Sequence, residues 1–383
     1  MAGPFEDLQE EINPWVASLL NTVPPNLPRE PKLVRDAVHG FIILRPHEVA
    51  ILDSPIVQRL RYIHQTAFAN LVYPTATHTR FDHTIGVVAI ADKVATALAA
   101  AGSIPENEAK HISAELRLAA MLHDVGHVLF SHLGEAVMSD RFRDRIQAIK
   151  RQEFLGAMRY FEAANIGEVL SYAIITCEAF KDFLQFVVNA YPGLSIDATR
   201  IAGLVIGRPP AADYAYEADI INGPFDADKL DYLLRDSHFS GIRSEVDVEN
   251  ILYGTRVLKK TGWPSYLVAM PSVVPHLEQI LFSKMMLYHA VYHHHKVRAL
   301  ESMFKSIFEI VQQDPASHAP ELRLASFRSF LELSEASFIT SCLADDQIRP
   351  IANQLLNRRL IKRAPCPLNA YGHPGYEAPA GAD

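Results

Sequence analysis

The chain has 383 residues, of which 49% are hydrophobic and 21% are charged, which is typical of a globular protein with one or two domains. Its formal net charge of -8 argues against a general attraction to nucleic acid or to an anionic membrane surface. Three dispersed cysteines without a CxxC pair favour a reducing, cytoplasmic compartment. We read neither a signal peptide nor an uninterrupted apolar run long enough to span a membrane.

The order of the predicted elements indicates an all-α fold. Residues 1–31 carry six prolines around one short helix candidate and predict an extended arm that packs on a neighbouring subunit. Residues 34–44 combine β-branched side chains with a glycine and predict a short β-hairpin. From Pro46 onward, apolar residues recur mostly at helical spacing. The predicted divisions after the arm are the main body 32–311, a smaller helical subdomain 312–363 and a disordered tail 364–383.

The densest group of chemically active side chains follows the apolar segment 118–122. It consists of three histidines and two carboxylates: His123, Asp124, His127, His132 and Glu135. On a helix, His123 and His127 are i and i+4 and therefore lie on one face. Imidazole nitrogens together with carboxylate oxygens suit a divalent metal such as zinc, manganese or iron. A helix end with solvated polar residues is the alternative.

Three other segments carry side chains of similar chemistry. His83 lies near the start of a long predicted helix, where it is either a metal ligand or a hydrogen-bonded core histidine. Four carboxylates form either a solvated helix start or a metal-and-substrate face: Asp226, Asp228, Asp231 and Asp236. A histidine-rich helix over 280–298 is either an adventitious metal binder or a source of donors toward phosphates, which would be Lys284, His295 and Arg298.

Taken in chain order, His83, the pair His123-Asp124 and the later Asp228 resemble the metal-binding set of the HD phosphohydrolase superfamily. More narrowly, the chain resembles the branch of deoxynucleoside triphosphate triphosphohydrolases related to the SAM-and-HD-domain enzyme (dGTPase-like), from about Lys32 to Arg363. We recognise no SAM domain. The strings that carry the resemblance are Asp36-x-x-His39-Gly40, Asp53-Ser54-Pro55, Gln58-Arg59-Leu60-Arg61-Tyr62-Ile63, His78-x-Arg80-Phe81-Asp82-His83-x-x-Gly86-Val87, His123-Asp124-x-Gly126-His127-x-x-x-Ser131-His132 and Asp228-Lys229-x-Asp231-Tyr232.

The resemblance implies an HD-domain helical core over residues 32–311 that binds a divalent metal (Mn, Fe, Mg, Zn or Co). The implied metal ligands are His83, His123, Asp124 and Asp228. By the same analogy His127 and His132 act near the α-phosphate, with His132 as the acid for the leaving group and Glu135 orienting a histidine. The implied substrate-binding residues are Gln65, Arg80, Lys229, Tyr232, Asp236 and Lys284. Water attack at the α-phosphate of a (deoxy)nucleoside triphosphate would release nucleoside and triphosphate.

The sequence departs from the family's pattern at three places. The family usually has a His-Glu pair after the HD helix, and we read the matching residues here as Gln152-Glu153. A late-helix arginine of the family is replaced by Lys284, which loses bidentate phosphate geometry. The apolar residue that excludes a ribose 2′-hydroxyl is replaced by Thr66, whose hydroxyl would accommodate that group.

The resemblance also implies regulation and assembly. Four residues match the family's regulatory nucleotide site and imply guanine-nucleotide activation and a homo-oligomer, either a dimer or a tetramer: Lys32, Asp53, Gln58 and Arg61. A structural salt-bridge network of the same residues is the alternative. Two other functions stay open: a phosphohydrolase that removes phosphates stepwise from a modified nucleotide or another phosphate ester, and a nucleotide- or nucleic-acid-binding regulator with weakened catalysis that uses the basic residues near 358–363.

Overall fold

A computed structural model describes residues 3–154, 164–243 and 246–361. Across these residues the chain forms nineteen α-helices and two antiparallel two-stranded sheets, which confirms the all-α prediction. The helices are α1 Pro4–Leu20, α2 Pro46–Leu52, α3 Pro55–Gln58, α4 Arg80–Ala100, α5 Glu106–Leu122, α6 His132–Arg141, α7 Arg143–Phe154, α8 Ile166–Thr176, α9 Glu178–Ala190, α10 Ala198–Val205, α11 Ala215–Ile221, α12 Ala227–Ser240, α13 Val248–Tyr253, α14 Val274–Leu287, α15 His295–Gln313, α16 Pro320–Arg323, α17 Phe327–Glu332, α18 Glu335–Ala344 and α19 Arg349–Leu356. The strands are β1 Lys32–Asp36, β2 Gly40–Leu44, β3 Thr255–Leu258 and β4 Tyr266–Ala269. The predicted tail 364–383 lies outside the described residues.

Helix α4 runs through the centre of the molecule and packs against α5 and α12. A capping box starts it, because the Thr79 amide donates to the Asp82 carboxylate at 2.8 Å. By length and composition alone α4 could cross a membrane, but 67% of its most apolar window is buried inside the protein. Its first turn also carries His83, which is fully buried. We therefore interpret α4 as a core helix that positions His83, one of the predicted metal ligands.

Residues Pro4–Leu20 form a long helix, so the prediction of an extended arm is wrong for this segment. The apolar face of α1 is buried in the common core through Phe5, Leu8, Ile12, Trp15, Val16 and Leu20. These positions follow the three- and four-residue spacing of an amphipathic helix. Pro4 occupies the first turn, where its missing N–H has no helical partner anyway, whereas Pro14 lies inside the helix and removes one backbone hydrogen bond, which burial of the apolar face offsets.

The predicted hairpin is present, formed by β1 and β2 with Asp36 opposite Gly40. Its tight turn is held by Asp36, whose Oδ1 accepts from the amides of Val38 and His39 at 2.8 and 2.7 Å. Gly40 has a φ of 75°, a left-handed conformation that glycine adopts without a steric cost. The inner face of β2 packs into the core, while Leu33, Phe41 and Ile43 are exposed.

Of the C-terminal helices, α16, α18 and α19 contact α15, α17 packs against α1 and α6, and all four share one apolar core with the rest of the chain. Phe304 of α15 and Phe338 of α18 lie beside Phe130, which belongs to the loop before α6. The predicted boundary at 311/312 falls inside α15. The C-terminal helices therefore support a loop that leads directly to His132.

Candidate metal and catalytic site

The predicted metal ligands come from the ends of three helices. His83 lies in the first turn of α4, and His123 is the residue that ends α5. Asp228 lies in the first turn of α12, whose start is fixed by Asp226 accepting from the Lys229 amide. The side chains converge because these helix ends meet: His83 Nε2 lies 2.9 Å from Asp228 Oδ1, and His123 Nε2 lies 3.2 Å from Asp124 Oδ1.

Both histidines present an unused nitrogen to the same point. His83 Nδ1 donates to Asp231 at 2.7 Å and His123 Nδ1 donates to the Ala120 carbonyl at 2.7 Å, which leaves each Nε2 facing the cluster. Both Nε2 atoms are buried, and each faces a carboxylate, Asp228 for His83 and Asp124 for His123. The candidate ligand atoms of His83, His123 and Asp124 lie within 4.8 Å of one another. Imidazole and carboxylate donors with fixed second nitrogens fit a divalent metal.

The electrostatics of the cluster keep its carboxylates ionised. Burial opposes ionisation of Asp124, but the Arg80 guanidinium lowers the pKa of this carboxyl well below its ordinary value. Burial likewise opposes ionisation of Asp228, and its hydrogen bond with His83 lowers its pKa. For His83 itself, burial would lower the pKa, but Asp228 and Asp231 raise it to about 10 in the metal-free protein. A cation at this centre would displace the His83 proton.

A second group of side chains extends from the metal ligands toward solvent. His127 Nε2 lies 2.9 Å from Asp124 Oδ1, and its Nδ1 is bonded to Glu135. The other Glu135 oxygen accepts from His132 Nδ1 at 3.0 Å. Burial would lower the pKa of His127, but Glu135 and Asp124 raise it to about 9. The predicted catalytic residues therefore form a continuous chain that ends at the exposed ring of His132.

A cavity of about 470 Å³ opens beside both groups. Five of the six predicted substrate-binding residues line it: Gln65, Arg80, Lys229, Tyr232 and Asp236. Arg80 is oriented by bonds to Asp124 at 2.9 Å and to Ser131 at 3.0 Å. Asp236 is already bonded through both oxygens, to His78 at 2.7 Å and to Tyr292. Its carboxylate therefore shapes the wall of the cavity and has little capacity left for a ligand.

Other predicted residues lie outside this cavity. The Lys284 ammonium lies 5.8 Å from the ring of Tyr288, which does line the cavity, but Lys284 itself does not. In the regulatory set, Lys32 pairs with Asp53 at 3.2 Å and Arg61 donates to Gln58 at 2.7 Å. Of the predicted basic patch, Lys362 and Arg363 lie outside the described residues.

Gln152 and Glu153, which we interpreted as the counterpart of the family's His-Glu pair, do not lie at the cavity. Gln152 bonds to the start of α1, and Glu153 accepts from Tyr172, so neither lines the cavity. The start of α8 lines the cavity instead, through Asn165 and Glu168. There burial, with the nearby Asp228 carboxylate, raises the pKa of Glu168 to about 7. The misreading arose because the length of chain between α6 and α8 is not evident from the sequence pattern.

Gly167 precedes Glu168 and lies directly against the catalytic chain. A Cβ at this position would collide with the Glu135 carboxylate and come within 3.1 Å of the His127 ring. Close approach of α8 therefore requires a glycine here. A larger side chain would force Glu135 to move.

Sequence reasoning also missed the carboxylate that supports His83. Asp231 is fully buried and accepts from His83 at 2.7 Å, from His39 at 2.6 Å and from Arg235 at 2.8 Å. Arg235 continues to Asp36 in the hairpin turn at 2.9 Å. Asp36, His39 and Asp231 occur in two of the strings quoted above and Arg235 in none of them, and their contacts join positions 192 and 199 residues apart.

Comparisons with known proteins agree with this geometry. Residues 80–171 match the HD domain model, and residues 247–367 match the HD associated region. The chain is 26% identical over 378 residues to the deoxynucleoside triphosphate triphosphohydrolase SAMHD1 of Bos taurus, covering 94% of this chain and 62% of that protein. It is 30% identical over 276 residues to an uncharacterized protein of Methanocaldococcus jannaschii, covering 72% of this chain and 48% of that protein.

A solved structure gives the same fold. A hypothetical protein from Aquifex aeolicus superposes with a TM-score of 0.65 at 26% identity, covering 86% of this chain and 76% of that one. Of the two curated relatives named above, the chain spans 62% and 48% of their length. The domain match includes His83, His123 and Asp124, which are the residues that converge in space. The chain therefore contains an HD domain over residues 80–171.

Proposed function

We propose that this protein is a metal-dependent hydrolase of (deoxy)nucleoside triphosphates that releases nucleoside and triphosphate. One observation carries the proposal: three members of the metal-type cluster and both histidines of the His127–Glu135–His132 chain line the same cavity, beside the cations Arg80 and Lys229. Its similarity to SAMHD1 supports the same reaction class. A nucleoside triphosphate carries the negative charge that these cations would neutralise.

The side chains divide the work between phosphate binding and proton transfer. Lys229 is held by the Gly223 carbonyl at 2.9 Å and by Asp226, which aims its ammonium along the cavity wall. Arg80 reaches to within 3.4 Å of His132 Nε2, so a phosphate oxygen bound by Arg80 would lie beside that ring. His132 is then placed to protonate the departing oxygen, because its Nδ1 is fixed by Glu135.

His83, His123, Asp124 and Asp228 would hold the metal, which would neutralise phosphate charge and make water a better nucleophile near neutral pH. The protein's own contribution is to exclude alternative arrangements of these ligands. Asp231 fixes His83 and the Ala120 carbonyl fixes His123, so both rings are oriented before a cation arrives.

The test is a product-resolved substrate panel. The purified protein is incubated with each dNTP and NTP plus Mn²⁺, Mg²⁺, Fe²⁺, Co²⁺ or Zn²⁺, and inorganic triphosphate is quantified by ion chromatography. We expect triphosphate and nucleoside in equal amounts. Orthophosphate or pyrophosphate as the sole inorganic product would overturn the triphosphohydrolase assignment and favour an HD phosphohydrolase that removes phosphates stepwise.

The wall near the sugar favours acceptance of ribonucleotides. Gln65 and Thr66 both line the cavity, and their buried side-chain oxygens Oε1 and Oγ1 have no hydrogen-bond partner. A ribose 2′-hydroxyl could form a hydrogen bond with the Thr66 hydroxyl, whereas an apolar side chain at this position offers no such bond. Thr66→Val should therefore lower kcat/KM for NTPs relative to dNTPs by about three- to tenfold, measured by substrate competition. An unchanged ratio would place the 2′-hydroxyl elsewhere.

We also propose that the protein forms a homo-oligomer and responds to guanine nucleotides. Helix α14 exposes an apolar stripe of Leu281, Phe282, Met285 and Met286, which favours contact with a second copy. The exposed Lys32–Asp53 pair would bind the activator. Light scattering with and without GTP tests both points, because Phe282→Glu should dissociate the assembly and Lys32→Ala should remove only the response to GTP.

A further inference from the structure

Three residues around the cavity adopt left-handed backbone conformations without being glycine. Phe130 and Ser131, with φ of 56° and 52°, immediately precede His132. Ala67, with a φ of 47°, immediately follows the cavity residues Gln65 and Thr66. Such conformations are unfavourable for L-residues and persist only where surrounding contacts hold them. We define the two strained segments as 64–67 and 130–132.

One carboxylate joins both strained segments. Glu335, the first residue of α18, is buried, and its Oε1 accepts from the backbone amides of His64 and Phe130, each at 3.0 Å. Its Oε2 is bonded to the His64 ring. These bonds span 271 and 205 residues of the chain. A single side chain from the C-terminal helices therefore fixes the spacing between the two segments.

Further contacts transmit this spacing to the reacting groups. Ser131 Oγ donates to the His64 carbonyl at 2.6 Å and accepts from Arg80 Nε at 3.0 Å. The Phe130 ring stacks on Phe68 at 4.6 Å between centroids. A change in the Glu335 bonds would consequently alter the orientation of Arg80 and the position of the residue after Ser131, which is His132.

We infer that Glu335 is a positioning residue that holds segments 64–67 and 130–132 in the geometry required for the reaction. The inference rests on the proposed function for its kinetic consequence, but the structural consequence is independent of it. Glu335 touches neither the cavity nor the metal ligands, so it acts through Arg80, His132 and the Gln65–Thr66 wall. Its carboxylate does this by accepting two amide hydrogens at one oxygen, which an amide oxygen can also do.

The experiment compares three variants with a matched surface control. Glu335→Ala should lower kcat about 100-fold, because small displacements of reacting groups have effects of that size, while bound metal stays at the wild-type level. Glu335→Gln keeps the acceptor oxygen and should restore most of the lost kcat. Glu335→Asp keeps the charge, but its side chain is too short to reach both segments. It therefore replaces Glu335→Ala in the comparison if Glu335→Ala does not fold. The control is Glu332→Ala, which removes an exposed ion pair with Arg328.

Hydrogen exchange by mass spectrometry supplies a readout that does not depend on activity. In Glu335→Ala, peptides covering 64–67 and 130–132 should exchange faster, and peptides covering α4 should not. Wild-type kcat in a Glu335→Ala protein with reduced thermal stability would overturn the positioning role, as would a Glu335→Gln variant as impaired as Glu335→Ala. If the wild type releases no triphosphate, the proposed function fails, and the exchange pattern alone decides whether Glu335 holds the segments.

Discussion

Helix α5 connects two buried charge clusters that shift the pKa values of their carboxyl groups in opposite directions. At its C-terminal end, the active-site cluster keeps Asp124 and Asp228 ionised, because Arg80 and His83 lie beside them and lower the pKa of each carboxyl. Near its middle, the Arg200 cluster consists of Glu115, Arg200 and Glu217. There burial outweighs one shared guanidinium and raises the pKa of Glu217 to about 7.

The difference shows what the active site requires of its surroundings. A carboxylate is a metal ligand or a partner for a histidine only when it is ionised, and burial alone works against that. The active-site cluster therefore needs nearly one cationic or histidine group for each carboxylate. In the Arg200 cluster Glu115 has His111 beside it at 3.4 Å, but the fully buried Glu217 has only a share in one arginine, which does not offset its burial.

The largest expected effect comes from removing a metal ligand. Asp228→Ala deletes the oxygen that lies 2.9 Å from His83 Nε2, and we expect loss of bound metal and a fall in hydrolysis well beyond about 100-fold. Elemental analysis of the purified variant measures the metal directly. Asp346→Ala, which removes an exposed surface carboxylate, is the matched control. Wild-type metal content in Asp228→Ala would contradict the ligand assignment.

A smaller effect is expected when Glu135 is neutralised. Glu135→Gln removes the charge that raises the pKa of His127, so in the metal-free variant His127 should titrate below its value of about 9. Loss of this support should also reduce kcat by about 100-fold. NMR titration of the histidine rings measures the first change and the substrate panel the second. An unaltered His127 titration would show that Asp124 alone sustains its charge.

Substitution of Asp231, which only orients the proposed ligand His83, should reduce metal binding less than loss of a ligand does. Asp231→Asn weakens the bond that orients His83 and should lower metal affinity by about 10- to 100-fold without abolishing binding. Calorimetric titration with Mn²⁺ gives the affinity directly. If the affinity stayed at the wild-type value, packing around His83 would suffice to orient the ring.

The sequence predicted the active-site cluster better than its supports, for a physical reason. His123, Asp124, His127 and Glu135 are close in sequence, so they stay near one another although residues 123–131 form a turn between α5 and α6 instead of the helix that the spacing suggested. The supports join distant segments: Asp231 with His39, and Glu335 with Phe130. Nothing in local spacing indicates such pairs, and only the folded core brings them into contact.

The fold shows the same division. The all-α class and the hairpin followed from local periodicity and were confirmed, but α1 was misread because its prolines were given more weight than its apolar spacing. Both prolines of α1 are accommodated in the helix, and the six apolar residues buried on its inner face are what determine the structure. Burial of the apolar face therefore determined that α1 is helical, although its prolines and its apolar spacing favour different structures.

The most direct check of the comparison concerns Glu217, where the expected effect is on stability and not on activity. Its folded pKa of about 7 lies above its ordinary value of 4.5, so the stability it contributes is complete below pH 4.5 and is lost as the pH rises through 7. Glu217→Gln keeps an acceptor for Arg200, whose Nη2 lies 2.8 Å away, but does not ionise. The variant should gain stability over the wild type between pH 4.5 and 7 and keep a constant advantage above, roughly 3 kcal/mol at most. Urea unfolding at pH 5 and pH 8 measures the difference, and an equal advantage at both values would mean that Glu217 is ionised throughout, like Asp124 and Asp228.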